Sequence, residues 1–121
     1  MINRIRRFVY CAALTVTLQA GLSPVAHAVG SQSNVNITLI DVRDNGYFII
    51  DISQPTQGTP PTCASGVPNR LVGDGNTAGG KNILATAMAA FLAGKKVAIE
   101  GTGTCPVYNT IEGIRILWVL K

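Results

Sequence analysis

The feature that most limits what this chain can become is its first stretch, Met1 to Ala28. Arg4, Arg6 and Arg7 precede an apolar run from Phe8 to Leu18, Ser23 and Pro24 break it, and Ala26-His27-Ala28 ends in the small residues a signal peptidase accepts. Those are the three parts of a secretory signal peptide, and cleavage is expected after Ala28. The run, even extended to Leu22, is short for a membrane span and no basic stop-transfer flank follows it. Cys11 stands at the start of the run rather than after it, which speaks against a lipoprotein box, and Arg6-Arg7 is too bare to argue for twin-arginine export. The expected organisation is a leader over residues 1–28 and one domain over 29–121, exported to the periplasm or secreted, with no membrane span after processing.

Removing the leader changes every global property. Arg4, Arg6 and Arg7 leave with it and no acid does, so the formal charge of +4 falls to +1. The basicity therefore belongs to the targeting segment and argues for neither nucleic acid nor an anionic membrane as a partner. The one histidine, His27, leaves too. What remains cannot build a Ser-His-Asp, Cys-His or His-ligated metal site, and no metal or other cofactor is expected. Of three cysteines Cys11 is discarded, and in an oxidising compartment Cys63 and Cys105 have one possible pairing, a disulfide. Closing a loop of that length stabilises a small domain by roughly 4 kcal/mol in the chain-entropy account.

Alternation lays out the domain. Asn34 to Arg43 is rich in β-branched residues, with Val35, Ile37 and Leu39 on one face and Ile40 and Val42 on the other; the switch predicts a bulge near Leu39. Asp44-Asn45-Gly46 is a tight turn into a second strand, Tyr47 to Ser53, with Phe48, Ile50 and Ile52 on one face. Gln54 to Pro68, broken by Pro55, Pro60, Pro61 and Pro68, is an irregular loop holding Cys63. Arg70 to Val72 is a short third strand. A helix follows, capped by Asn76 or Thr77 and ended by Gly94, with Lys95 beside its negative pole. Ile83, Leu84, Ala87, Met88, Phe91 and Leu92 recur at helical spacing as its core face, and Ala85, Thr86, Ala89, Ala90 and Ala93 form an uncharged far face.

Lys96 to Glu100 is a fourth strand, and Gly101 to Thr110 is a loop carrying Cys105, Tyr108 and Asn109. Ile111 to Leu120 is a fifth strand, with Ile114, Ile116, Trp118 and Leu120 facing one way and Leu117 and Val119 the other. A strand apolar on both faces is central to a buried sheet or lies in a subunit contact.

One motif competes with this layout. From Gly75 the chain reads Gly, four residues, Gly, Lys, a phosphate-cradling P-loop but for its last letter, because Asn82 stands where Ser or Thr supplies a magnesium ligand. The surroundings are wrong for it. The strands ahead of the loop form a hairpin rather than parallel strands joined by crossover helices, and no run ending in Asp follows as a second metal-binding strand. The glycines read as a turn and a helix start.

What is left is mostly β with one helix, in the order β-β-β-α-β-β. That is the order of the OB-fold, a five-stranded barrel that takes ligands on the loops joining strands one to two and four to five. An open α+β sheet or a β-sandwich fragment is the alternative, and the barrel is favoured because it closes most strand edges. The segment ILATAMAAFLAGKKVAIEGTGTC, Ile83 to Cys105, resembles a family of small exported bacterial proteins with a Gly-x-Gly-Thr-Cys loop. More distantly it is similar to the pentameric B subunits of the AB5 toxins, of the subtilase cytotoxin and typhoid toxin type. The resemblance implies a ring of five with helices lining a pore, and binding of sialylated glycans; no glycan-contacting residue carries over to a position of this sequence.

The residues themselves leave two classes of function. A non-enzymatic binding module, possessing no catalytic group, would hold a glycan or a protein surface with Asp44, Asn45 and Tyr47 at the first loop and Tyr108 and Asn109 at the other. A homo-oligomer would use Ala89, Leu117 and Val119 as contacts. A small hydrolase needs paired carboxylates, and Asp41, Asp51, Asp74, Glu100 and Glu112 are scattered singly. A structural or inhibitory envelope protein is the third expectation.

Overall fold

A computed structural model describes residues 29–121, and the leader expected over 1–28 lies outside the described residues. The chain-reversing device at its centre is the Asp44-Asn45-Gly46 turn. The Gly46 amide donates to the Arg43 carbonyl at 3.1 Å, the Arg43 amide donates to the Tyr47 carbonyl at 2.8 Å, and Gly46 takes φ +86°, which only glycine adopts freely. The turn joins β2 (Ile37–Val42) to β3 (Tyr47–Ile52) as an antiparallel hairpin. Their register shifts between Ile37 and Leu39, the bulge expected there, and this is why Ile37 and Ile40 both reach the core.

The remaining strands are β1 (Gly30–Val35), β4 (Gln57–Gly58), β5 (Arg70–Asp74), β6 (Val97–Gly101) and β7 (Glu112–Val119). They form one sheet in the order β2-β3-β5-β7-β6-β1-β4, all neighbours antiparallel except β5 and β7. Mostly β with one helix is thus observed. The sheet, however, has seven strands and is not closed, in place of the expected five-stranded barrel. One additional strand is the two-residue β4 in the proline-rich loop. The other is β1, which begins at Gly30, four residues before the first strand expected over Asn34 to Arg43, and ends where the chain bends near Asn34. Asn34 sits at φ +60°, a left-handed conformation asparagine tolerates, and there the register of β1 on β6 shifts. Past Asn36 the chain leaves β6 and pairs with β3.

The helix α1 (Ala78–Leu92) starts at Thr77, whose hydroxyl accepts from the Gly80 amide at 3.0 Å. It stops at Gly94, φ +61°, where the Lys95 amide donates to Ala90 and the Gly94 amide to Phe91. Its buried face differs from the expected one. Gly80, Ala87 and Ala90 are buried, with Ile83 and Leu84 half-buried, while Phe91 is 45% and Leu92 81% exposed. Small residues let the helix backbone approach the sheet closely, so the bulky side chains fall on its flank. No helix among the described residues is long and apolar enough to cross a membrane.

Two cores result. The larger gathers Phe48, Ile50, Ile52, Leu71, Val97, Ile99 and Leu117 under α1. The smaller lies on the opposite face of β3 and β5, where Ile49, Val72 and Ile111 are buried beneath loop residues Val67, Val107 and Tyr108. The loops covering it are joined by the Cys63–Cys105 disulfide, with Cα atoms 6.4 Å apart. The faces of β7 depart from the alternation reading beyond Ile114, which itself lies in the larger core. Gly101 pairs with Ile114 and Glu100 with Ile116, leaving Arg115 as an extra residue. That bulge turns Leu117 into the core and Trp118 outward, the latter 46% exposed.

Candidate functional site

The turn and the disulfide-held loop bring together two residues that stand far apart in sequence. Tyr47 opens β3 directly after the turn, its amide donating to the Asn45 side-chain oxygen at 3.2 Å. Tyr108 lies in the loop before β7, held by a bridge to Ile111. Their rings meet edge to face, centroids 6.1 Å apart at 70°. Of the five ligand-binding candidates, the structure unites these two. Asp44, Asn45 and Asn109 are exposed beside them, and Asn45 is spent on the turn and on its carbonyl contact with Asn76.

A cleft opens at each ring. The larger, about 460 Å³, runs from Tyr47 past Asp74 and Thr77 at the helix start to Thr102, Val107 and Arg115. The smaller, about 230 Å³, is lined by Arg43, Ile49, Arg70, Tyr108, Thr110 and Ile111. Aliphatic floors with a few polar rims are what a small polar ligand requires.

The charges at these rims are balanced. Arg70 grips Asp51 with two hydrogen bonds of 2.7 Å, the planar fork geometry of an arginine-carboxylate pair. The Asp51 hydrogen bond first, and its charge second, raise the Arg70 guanidinium above its ordinary pKa against the opposing effect of burial, so it stays charged at any ordinary pH. Arg43 pairs with Asp41 at 2.5 Å, and Arg115 with Glu100. These last pairs are exposed and contribute little to stability.

The remaining two of the five scattered acids, Asp74 and Glu112, are occupied as well. Asp74 accepts from the Asn76 amide and side chain, both at 2.9 Å. Glu112, only 1% exposed, accepts from the Gly30 amide at 3.1 Å and the Gly103 amide at 2.9 Å through one oxygen. Each carboxylate that a hydrolase could draw on therefore has a structural partner. Among the described residues no cluster of His, Cys, Asp and Glu is arranged to hold a metal.

The P-loop-like stretch has its own local explanation. β5, which leads into it, pairs antiparallel with β3, and a side chain at Gly80 would strike the Asp74 carbonyl at 1.7 Å. The glycine is there for close packing of the helix start.

Of the oligomer candidates, Ala89 is exposed, Val119 is 43% exposed, and Leu117 belongs to the larger core. Sequence reading missed Arg43, Arg70 and Arg115 as rim residues. A signal for Arg70 existed in the acid at Asp51, unusual within the apolar strand YFIIDIS, which demands a cationic neighbour. Protein-family models, curated proteins and solved structures were all compared with the chain, and none matches.

Proposed function

We propose that the chain is an exported, non-enzymatic binding module that holds a glycan at the Tyr47–Tyr108 pair. The observation that carries this reading is the meeting of the two candidate loops at those rings, between clefts whose rims bear polar groups of balanced charge. The fold reading supports it. Taking β1 and β2 as halves of one bent strand and setting the two-residue β4 aside leaves five strands, the number and chain order of an OB-fold. OB-folds take ligands on the face of strands two and three and on the loops after strands one and four. In this chain those correspond to β3, β5, the Asp44–Gly46 turn and the loop containing Tyr108; Ile49 of β3, Arg70 of β5 and Tyr108 of that loop line the smaller cleft, with Arg43 just ahead of the turn. The engagement of every candidate carboxylate argues against the hydrolase alternative.

A glycan array probed with the exported protein tests this reading. The expected result is retention of a restricted glycan set, with a tenfold or greater loss of affinity in Tyr108→Ala; an array with no retained glycan counts against it.

Self-association belongs to the same proposal. Val42, Met88, Phe91 and Leu92 expose apolar surface around one groove, and Trp118 and Val119 expose more on β7. Such surface suits an assembly, for which the toxin-B resemblance implies five copies, and it also suits a structural envelope protein. Ala89→Glu or Val119→Glu should dissociate the assembly and leave the monomer folded, as light scattering and thermal melting would report. A wild-type monomer at tens of micromolar concentration would remove the oligomer from the proposal.

A further inference from the structure

The carboxylate of Glu112 stands at the place where the described chain begins. It is buried, and its hydrogen-bond partners are two backbone amides, Gly30 and Gly103, both on the same oxygen. No basic side chain pairs with it among the described residues. Glycines make room for it on both sides: a Cβ at Gly101 would lie 2.1 Å from one carboxylate oxygen, and a Cβ at Gly30 2.5 Å from the other. Two amide dipoles solvate an anion, but a buried carboxylate without a cation is costly compared with one that has a counter-charge. A site so shaped lacks one thing, a small ammonium group.

The geometry points to the chain's own new N-terminus as that ammonium. This rests on the reading of Met1 to Ala28 as a cleaved leader. Hydrolysis of the Ala28–Val29 amide by a signal peptidase consumes one water, breaks the C–N bond, leaves a carboxylate on Ala28, and leaves Val29 with a terminal ammonium. The Gly30 amide lies 3.1 Å from the Glu112 oxygen, and one residue of backbone spans at most about 3.6 Å, so the Val29 nitrogen lies within roughly 7 Å of it. Rotation about the single residue between them closes that distance. Before cleavage the same nitrogen is a neutral amide. Processing thus gives a buried carboxylate that has no cationic partner among the described residues an ion pair joining β1 to β7, and the processed domain is more stable than the same domain with a blocked N-terminus.

The experiment is a cycle on exported protein. Selective acetylation of the α-amine removes its charge, and Glu112→Gln removes the partner; folding equilibria are measured for all four species. In the wild type, acetylation should lower the folding equilibrium constant at least fivefold, and in Glu112→Gln it should change it less than twofold. Equal losses in both backgrounds, or none in the wild type, would overturn the pairing. Should Glu112→Gln fail to fold, the pH dependence of α-amine acetylation in the wild type decides. A paired ammonium titrates above the ordinary range of about 7.7 to 8.0, and titration within that range overturns the pairing. Intact mass of the exported protein is measured first: a first residue other than Val29 defeats the leader reading, and the inference falls with it.

Discussion

The two faces of β3 and β5 are buried in different ways. On the inner face Phe48, Ile50 and Leu71 lie beneath a helix and the rest of the sheet, each 0% exposed. Regular elements cover them, a helix bonded along its own backbone and strands bonded to neighbouring strands. On the outer face Ile49 and Val72 lie beneath two irregular loops, whose internal bonding is mostly confined to single turns and which are joined covalently at Cys63 and Cys105. A large core orders its own cover, whereas a small one depends on a cross-link that lowers the entropy of its cover in advance. The candidate site lies on the cross-linked side, where loop composition can vary without disturbing the main core.

The comparison makes predictions of graded size. Phe48→Ala opens a cavity under the helix where collapse is hindered by the sheet, and should destabilise the domain by about 3 to 5 kcal/mol, read from denaturant unfolding. Cys105→Ser releases both loops and should lower stability by about 2 to 4 kcal/mol, with the outer face losing hydrogen-exchange protection before the inner one. Equal loss of protection on both faces would mean that the domain has one cooperative core rather than two. Tyr108→Ala should cost about 2 kcal/mol of stability, the aromatic pair plus the half-buried ring's contact with the smaller core, while its effect on ligand binding is large. A stability loss matching that of Phe48→Ala would make Tyr108 a core residue and remove it from the site.

The same contrast separates what was legible in the sequence from what was not. Turn and cap chemistry is local, so Gly46, Thr77 and Gly94 could be placed from their neighbours alone. The disulfide was legible because two cysteines leave one pairing. The core face of the helix was legible only in part. Ile83, Leu84 and Ala87 lie where helical spacing puts them, but counting bulky apolar residues also favours Met88, Phe91 and Leu92, where the sheet accepts Ala90 instead, a preference that depends on how close two elements come. The extra residue at Arg115 likewise reverses Leu117 and Trp118, and nothing in an alternating strand marks where its partner skips a position. For the site, Tyr47 and Tyr108 could each be named, but their contact is a property of the folded loops. Arg70 and Asp51 are partners across neighbouring strands, a pairing that depends on register.

The division of the N-terminal strand at Asn34 to Asn36 also sets an order in time. A ribosome releases the chain from its N-terminus, and β2 finds its partner β3 as soon as the first hairpin has emerged. β1, although it comes first, has partners in β6 and β4, and β6 is made only after the helix. The earliest strand therefore waits longest, with an unpaired edge exposed until the later half of the chain appears. Contacts so distant in sequence close slowly, because the loop entropy is lost before the pairing is gained. Docking of β1 on β6 is then a late event in folding, and a chaperone that holds the N-terminal segment extended would hold back that step while leaving the hairpin free to form.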